Sequence, residues 1–500
     1  MDPNTIICDF GWWYPEDPSP LHGCFESNAN VLTTSEPPYD EFGAYTMRGL
    51  LCRISRNPSK AIEERYYNSK YYRELPVDDS SNCVVIDPNK CILCGNCVDT
   101  CQKTQTVSAL EIVTRDGMTF VTAKGASDLA HSSCVGCGQC TAACPTGSIR
   151  LKSAAQQFKD AIRDPDTKVV VQVAPSVRVG ISEAFGLPQG SNSMPLVVEA
   201  LRRLGVDAVH DTLFSADMTI VEEGTEFVER LNNGGTLPLF TSCCPAWVKF
   251  CEQNYPELAD HISTTRSPQQ MMAAVLREKY RGEKVTLVSV MPCTAKKDEL
   301  KRKESASLGQ QDMDISITTR ELVELLKEAG IDLAALKGVP SDEEYSKGSG
   351  GGALFGITGG VTEAALRYLV PDAAEQIAKS GVRGSEGIRE FEIGYEGRTL
   401  KFAVASGLGN ARTLMERVRS GEHFDFIEVM ACPGGCVMGG GQPYDVFEKA
   451  RERAARTAGL FAADAKSAWK NSGENTQVQE TLAQLSREKR HTLLHRNLDK

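Results

Sequence analysis

The organisation of this chain depends on one stretch, Glu428-Val-Met-Ala-Cys-Pro-Gly-Gly-Cys-Val-Met-Gly-Gly-Gly-Gln-Pro443. It places Cys432 and Cys436 four residues apart, with glycines on both sides of the second cysteine. Because glycine has no Cβ, such a loop can bend sharply and bring its backbone close to a bulky group. The pattern favours a metal cluster over a single small ion, a disulfide turn or a free-thiol core loop.

Two more cysteine loops lie upstream, Thr241-Ser-Cys-Cys-Pro-Ala-Trp247 and Met291-Pro-Cys-Thr-Ala-Lys-Lys-Asp-Glu299. Each of the three loops directly follows a short apolar segment that is predicted to be a strand. In parallel sheets, ligands bind beyond the carboxyl ends of the strands. Three strand ends are therefore expected to converge on one site, where four thiolates could hold a 4Fe–4S cube: Cys244, Cys293, Cys432 and Cys436.

From about residue 165 the chain alternates between predicted strands and helices, which indicates parallel sheets with helices on their faces. Lys168–Val173 is a continuous apolar run, as expected for a strand that is buried on both faces. The other predicted elements are the strands Pro238–Phe240, Val285–Val290, Leu400–Ala405 and Phe426–Val429 and the helices Leu196–Leu204, Ala216–Leu231, Ser267–Tyr280 and Thr319–Ala329. The predicted fold class is α/β, a large catalytic domain of parallel sheets flanked by helices, with the active-site cluster between its lobes.

A second cysteine-rich region precedes this domain. It contains Cys91-Ile-Leu-Cys94-Gly-Asn-Cys97-Val-Asp-Thr-Cys101 and Cys134-Val-Gly-Cys137-Gly-Gln-Cys140-Thr-Ala-Ala-Cys144. In this spacing three thiolates bind one 4Fe–4S cube and the fourth binds a neighbouring cube, whereas zinc sites usually pair two separated knuckles. The sequence therefore predicts a small α+β ferredoxin-like domain with two 4Fe–4S clusters. The expected ligand sets are Cys91, Cys94, Cys97 with Cys144, and Cys134, Cys137, Cys140 with Cys101.

Composition limits the class of protein further. The 500 residues carry a net charge of -11 without a basic patch, which argues against nucleic acid as a partner. No apolar run approaches the roughly 20 residues that span a bilayer, and the N-terminus lacks the features of an export signal, so we expect a cytoplasmic protein. Stable disulfides are rare in a reducing compartment, so the 18 cysteines are expected to be mainly metal ligands or catalytic groups.

We predict four regions along the chain. Residues 1–82 form an arm or cap in which Cys8, Cys24 and Cys52 are too widely spaced to form a ligand run. The ferredoxin-like domain spans residues 83–160, the catalytic domain 161–443 and a helical tail 444–500. The glycine-rich segment at 347–360 lacks a phosphate-loop ending and favours close packing around the cluster. In the tail, His491 and His495 are expected on an exposed helix face rather than at a metal.

One predicted helix contains a candidate for proton transfer. Glu223 lies three residues from Ile220 and four from Phe227, so it belongs to the apolar stripe of the helix. Burying a carboxylate there costs free energy unless the group is paired or protonated. Glu223 is therefore a candidate for a functional role. Glu226 lies about one turn nearer the surface.

The three cysteine loops, in this order behind two ferredoxin-type runs, closely resemble the signatures of the iron-only (FeFe) hydrogenases. The resemblance covers about residues 83 to 443 and most of the tail. It implies an H-cluster whose 4Fe–4S part is held by Cys244, Cys293, Cys432 and Cys436. A two-iron subsite with CO, cyanide and a bridging dithiolate amine would be attached through Cys436.

The resemblance also implies roles for the residues around that cluster. Lys296 would donate a hydrogen bond to one anionic cyanide, a role that its charge suits. The other cyanide would be lined by Pro175 and Ser176, and soft packing would come from Met291 and Met430. Protons would pass along a relay of Cys243, Glu223, Ser263 and Glu226, with Arg230 near the exit.

The expected reaction is the reversible reduction of two protons by two electrons to H2, as in anaerobic hydrogen metabolism. The expected partners are a ferredoxin or other redox-protein subunits, and maturation proteins that build the two-iron subsite. The chain has no nicotinamide or flavin fingerprint of its own. Two alternatives remain open: an H2 sensor of the same family, and a hydrogenase-related iron–sulfur assembly factor. Sensors tend to lose relay residues, and the assembly factors generally lack the full Cys-Cys-Pro and Met-Pro-Cys contexts.

Overall fold

The computed structural model describes residues 75–496, except 117, 308, 373, 385–386 and 445–448. Most of the predicted N-terminal arm, including Cys8, Cys24 and Cys52, lies outside the described residues. The described chain forms two compact units. The smaller comprises residues 75–134 and 139–152, and the larger comprises residues 135–138 and 153–496.

The smaller unit is built from two antiparallel strand pairs and two short helices. Its strands, in chain order, are β1 (Val84–Ile86), β2 (Leu110–Arg115), β3 (Met118–Ala123) and β4 (Ile149–Leu151), where β1 pairs with β4 and β2 with β3. Its helices are α1 (Asn96–Asp99), which continues as a π-helical turn over Thr100–Thr104, and α2 (Gln139–Ala143). This is the α+β, ferredoxin-like architecture that the cysteine spacing predicts.

The larger unit contains eight strands and fifteen α-helices among its described residues. The strands are β5 (Lys168–Val173), β6 (Ala208–Asp211), β7 (Leu239–Phe240), β8 (Val285–Met291), β9 (Ile315–Thr318), β10 (Ile388–Tyr395), β11 (Arg398–Ser406) and β12 (Phe426–Met430). The helices are α3 (Ala155–Arg163), α4 (Val177–Gly180), α5 (Met194–Leu204), α6 (Leu213–Asn233), α7 (Pro245–Asn254), α8 (Pro268–Lys279), α9 (Lys296–Glu299), α10 (Thr319–Glu328), α11 (Gly350–Leu354), α12 (Gly360–Leu369), α13 (Ala374–Lys379), α14 (Leu408–Arg419), α15 (Lys449–Lys466), α16 (Thr476–Gln484) and α17 (Arg487–Leu494).

These strands form two four-stranded sheets, and the α/β class predicted from the sequence is confirmed. The first sheet has the order β6-β5-β8-β9 and is parallel throughout. The second has the order β10-β11-β12-β7, in which β10 is antiparallel to β11 and the other pairs are parallel. The sequence did not predict three edge strands of these sheets, β6, β9 and β10. Strands β6 and β9 are only four residues long, and the side chains of β10 are only partly buried.

In both sheets, the cysteine loops follow the carboxyl ends of strands. Strands β7 and β12 of the second sheet precede the loops at 241–247 and 431–443, and β8 of the first sheet precedes the loop at 292–299. Helix α6 is buried along much of its length, and it packs against α8, α11 and α12. The fold therefore places three cysteine loops and the middle of α6 around one region of the larger unit.

The central strand β12 carries a fully buried carboxylate, Glu428. It accepts hydrogen bonds from the backbone N–H groups of Gly359 and Thr362 and from the Thr362 hydroxyl, at 2.6 to 2.9 Å. Burial raises the pKa of Glu428, while these donors act in the opposite direction. Because Gly359 is the N-cap of α12, Glu428 fixes the start of that helix against the sheet.

Among the helices described between residues 75 and 496, none has both the length and the apolar character that crossing a bilayer requires.

Candidate active site

A cavity lies where the three cysteine loops meet. Three thiols of different loops line it, those of Cys244, Cys293 and Cys436, together with the thiol of Cys243. The remaining lining is mostly apolar and includes all the residues that were predicted to surround the cluster: Pro175, Ser176, Met291, Met430 and Lys296. Phe355 and Gly356, from the glycine-rich segment, close another side.

The four predicted ligand thiols interact electrostatically with one another. Burial raises the pKa of each, that of Cys293 to about 12, and the neighbouring thiols raise the pKa values of Cys293, Cys432 and Cys436 further. Four thiolates in such a place need a compensating cation, and coordination to a metal deprotonates a thiol outright. Soft thiolates are the ligands that iron–sulfur clusters select, so this donor set fits an iron–sulfur cube.

Backbone N–H groups also point at these sulfurs. The Cys244 sulfur accepts hydrogen bonds from the backbone of Ala431, Trp247 and Ala246, and the Cys293 sulfur from the backbone of Lys296 and Ala295. Such bonds stabilise thiolates and tune the reduction potential of a cluster.

Lys296 is buried beside the cavity and is held in place. Its Nζ donates to the carbonyl oxygen of Cys243 at 3.1 Å and to both carboxylate oxygens of Glu299 at 3.0 Å. Burial lowers the pKa of Lys296, but Glu299 and Cys293 more than offset this and leave it raised. A protonated ammonium is thus fixed at the cavity wall. Glu299 was not predicted as a site residue, although its spacing from Lys296 on one helical turn is a usable signal.

The loop between Cys432 and Cys436 requires glycine at Gly435. Its φ is +91°, and a Cβ there would lie 2.6 Å from the backbone nitrogen of Thr358. This close approach brings the cysteine loop into contact with the glycine-rich segment at 347–360. Close packing of that segment around the cluster site was predicted from the sequence.

Replacing Gly435 with alanine is expected to lower the melting temperature more than replacing Gly421. Both positions have a positive φ, but nothing lies within 4 Å of a Cβ at Gly421. Gly421→Ala should cost about 1–2 kcal/mol for backbone conformation alone, and Gly435→Ala about 1–3 kcal/mol more for the clash. Thermal unfolding of the two variants under one condition measures the difference, and equal melting temperatures would contradict the packing described.

A buried carboxyl, that of Glu223, lies next to the cavity. Its side chain is on α6, 1% of the residue is exposed, and its Oε1 accepts from the backbone N–H of Ser242 at 3.2 Å. Its Oε2 has no hydrogen-bond partner among the described residues. Burial raises the pKa of Glu223 to about 8. Cys243 is close enough for Glu223 to raise its pKa in turn, in addition to the effect of burial.

Hydroxyl groups connect Glu223 with Glu226. Thr265 Oγ1 lies 3.5 Å from Glu223 Oε1 and 2.8 Å from Ser263 Oγ, which donates to Glu226 Oε2 at 2.7 Å. Arg230 Nη2 donates to Glu226 Oε1 at 2.6 Å. The predicted relay residues are thus brought together. Thr265 was missed, because a threonine in a polar loop has no local signal for such a role.

The expectation of an exposed face for the two tail histidines is correct for His491 and wrong for His495. His491 is exposed. The side chain of His495 is only 15% exposed, because α17 ends at Leu494 and the next residues pair with the loop at 264–266.

In the smaller unit, the first predicted ligand set is also brought together. The thiols of Cys91, Cys94, Cys97 and Cys144 interact electrostatically, and burial raises the pKa of Cys94 to about 11. Cys101, Cys134 and Cys140 pack against the same hydrophobic core. Cys137 belongs to the segment 135–138, which is part of the larger unit. None of the cysteines described forms a disulfide.

Clustered thiols occur in both units, and in the larger unit they lie near a buried carboxyl whose pKa is raised. Such an arrangement is typical of an iron–sulfur oxidoreductase. Comparison with known families gives the particular family. The C-terminal domain of the iron-only hydrogenase large subunit matches residues 167–440, and a 4Fe–4S dicluster domain matches residues 90–148. The chain belongs to the iron-only hydrogenase family. It is an FeFe hydrogenase, and its cofactors are 4Fe–4S clusters and the H-cluster.

Individual relatives agree with this assignment. The NADP-reducing hydrogenase subunit HndD of Solidesulfovibrio fructosivorans is 41% identical, over 85% of this chain and 77% of the relative. Iron hydrogenase 1 of Clostridium pasteurianum is 38% identical, over 80% of this chain and 72% of the relative. A structure of a variant of the FeFe-hydrogenase HydA1 of Chlamydomonas reinhardtii aligns with a TM-score of 0.61 and 39% identity, covering 69% of this chain and 98% of that one.

Proposed function

We propose that this protein catalyses the reversible reduction of two protons by two electrons to H2, with electrons reaching the H-cluster through two 4Fe–4S clusters. The observation that carries the proposal is the row of protonatable side chains from Cys243 to Glu226 beside the thiol-lined cavity. A protein that only stores or transfers clusters needs ligands but no proton path. Rapid turnover of protons at a buried site needs both.

The four predicted ligand thiols of the larger unit would hold the H-cluster. In this assignment Cys244, Cys293, Cys432 and Cys436 bind its 4Fe–4S part, and Cys436 also bears the two-iron subsite. When bound, the cluster supplies the redox-active irons at which protons and electrons combine. In the smaller unit, one cube would be bound by Cys91, Cys94, Cys97 and Cys144, and the other by Cys134, Cys137, Cys140 and Cys101.

The other cavity residues would orient the two-iron subsite and exclude water. Lys296, already fixed by Glu299, offers an ammonium to an anionic ligand. Pro175 and Ser176 line the cavity near the end of β5. Met291 and Met430, both almost fully buried, keep the space dry with soft, adaptable side chains.

Protons would move along the polar row in short steps. The Cys243 thiol would hold a proton at the cavity end of this row and exchange it with Glu223, whose Oε2 is available to carry it. From Oε1 of Glu223 the proton passes along the hydroxyls of Thr265 and Ser263, which accept one proton as they release another. It then reaches Oε2 of Glu226. A carboxyl with a pKa of about 8 is well suited to this exchange near neutral pH.

The electron partner would be another redox protein. Support comes from the name of the relative HndD, a subunit of an NADP-reducing hydrogenase, and from the absence of a nicotinamide or flavin fingerprint in this sequence. We infer that any nucleotide is reduced on a separate subunit, and that a ferredoxin is the simplest alternative donor.

Glu223→Gln tests the function and the relay together. The glutamine can still accept from Ser242, but it cannot carry a proton, so H2 evolution from reduced viologen should fall by about 10²–10⁴-fold. In the native protein the rate of H2 evolution should fall as the pH rises through about 8, because fewer Glu223 side chains then hold a proton. This step should be missing from the profile of the variant.

The control is Glu229→Gln, which changes an exposed glutamate on the same helix and should leave the rate unchanged. Native protein with its full iron content and CO and cyanide ligands but no H2 evolution or uptake would exclude the proposed reaction. An active Glu223→Gln variant would exclude the relay and leave the reaction standing.

A further inference from the structure

The C-terminal segment of the described chain is attached to the loop that carries the proton relay. Thr265 and His495 form an antiparallel β-bridge, the Arg266 backbone N–H donates to the Leu494 carbonyl at 2.8 Å, and that of Arg496 to the Thr264 carbonyl at 2.7 Å. The segment lies beyond residue 440, where the match to the hydrogenase domain ends. The tail therefore adds side chains to the outer end of the relay.

The His495 imidazole has polar partners on both of its nitrogens. Its Nδ1 lies 2.8 Å from Thr264 Oγ1, and its Nε2 lies 3.2 Å from Glu222 Oε2. Thr264 Oγ1 in turn lies 3.1 Å from Glu226 Oε2. One hydroxyl thus links the outermost carboxylate of the relay to an imidazole.

Arg230, which also contacts Glu226, cannot transfer a proton from it. Arg230 holds Oε1 of Glu226, but a guanidinium has only donors and is not deprotonated in proteins. An imidazole can accept a proton on one nitrogen and release one from the other, in the physiological pH range. Of Arg230 and His495, it is His495 that can pass a proton onward from Glu226, through the Thr264 hydroxyl.

We propose that His495 is the next proton carrier beyond Glu226, and that it connects the relay to the surface through the Thr264 hydroxyl. The inference rests on the proposed function, since it extends the relay from Cys243 to Glu226.

The transfer balances without any oxidant or reductant. Protonated Glu226 gives its proton to Thr264 Oγ1, the Thr264 hydroxyl gives its own proton to Nδ1 of neutral His495, and the products are a carboxylate and an imidazolium. The imidazolium then releases the proton from Nε2 towards Glu222 or water, and the tautomers reset. H2 evolution would use the same steps in reverse.

The charged groups around His495 suit an imidazole that gains and loses a proton. Helix α6 contributes Glu222 and Glu226, and Arg490 of α17 donates to Glu222 Oε1 at 2.5 Å. The exposed His491 ring stacks on His495 with 5.1 Å between centroids. Three more cations lie nearby among the residues described up to 496: Arg230 on α6, Arg266, which donates to the His495 carbonyl, and Arg496 in the tail. Glu222 thus contacts the His495 imidazole through Oε2 and the Arg490 guanidinium through Oε1.

The test compares His495→Gln and His495→Ala in the matured holoenzyme, with His491→Gln as the matched control. H2 evolution should fall about a hundredfold in both His495 variants, with a larger solvent deuterium isotope effect, and added imidazole should restore His495→Ala. The control should match the native protein. Infrared difference spectra should also show the carboxyl C=O band of protonated Glu226, which is identified by its absence from the Glu226→Gln variant. This band should persist longer in His495→Gln than in the native protein.

Two results would overturn the inference. One is native turnover and isotope effect in both His495 variants. The other is a fall in H2 evolution that added imidazole does not reverse, together with an unchanged Glu226 carboxyl band. A purely structural role of His495 would give that result. If Glu223→Gln is inactive in either case, the relay stands and only the role of His495 fails. An active Glu223→Gln variant would remove the relay on which the inference rests.

Discussion

Replacing Cys243 with alanine is expected to remove most H2 turnover, by about 10²–10⁴-fold, while the clusters remain bound. The Cys243 thiol lines the cavity and lies within electrostatic reach of Glu223, so its loss would open a gap between the cavity and the first carboxyl of the relay. Alanine removes the thiol without changing the loop backbone. Turnover with reduced viologen, iron content and infrared spectra of the same preparation measure the effect.

The matched control is Cys251→Ala, which also removes a buried thiol from the segment following β7. Cys251 lies on α7 and does not line the cavity, so its loss should reduce stability slightly and leave turnover intact. Native turnover in Cys243→Ala would exclude Cys243 as the first proton carrier. Loss of iron in that variant would instead assign the residue to cluster binding.

Replacing Cys436 with serine is expected to eliminate both turnover and the two-iron subsite. A hydroxyl is a hard, weakly acidic ligand, and iron–sulfur clusters select soft thiolates. The buried surroundings that already raise the pKa of Cys436 would oppose ionisation of serine still more strongly. Infrared spectra of the variant, matured with the two-iron assembly machinery, should lack CO and cyanide bands.

The control for this variant is Cys243→Ser, since both thiols line the same cavity. It should keep the CO and cyanide bands even though its turnover falls. Bands that persist in Cys436→Ser would refute the ligand assignment. Bands that disappear in both variants would show that serine at either of these two cysteine positions prevents maturation.

Local sequence patterns predicted the parts of this molecule that depend on local chemistry. The loops after β7, β8 and β12 were identified from cysteine and glycine spacing, and Glu223 from its position on the apolar stripe of α6. These signals are strong because few residue types can bind a cluster, and few proteins bury an unpaired carboxyl.

The missed features depend on contacts between distant parts of the chain. Thr265 is 42 residues from Glu223 in sequence, and His495 is 231 residues from Thr264. Nothing near a threonine or a tail histidine indicates such a partner, and the polar tail favoured an exposed face for His495. Strand β10 was missed for a related reason, because its half-exposed edge position weakens the apolar pattern.

The most direct test of the central claim is anaerobic infrared spectroscopy on the native protein, matured with the two-iron assembly machinery. Sharp CO and cyanide stretching bands that shift under H2 are the predicted result, because the cavity between the cysteine loops fits the H-cluster. Iron and sulfide for three cubes without such bands, despite competent maturation, would contradict the account and favour an iron–sulfur assembly factor.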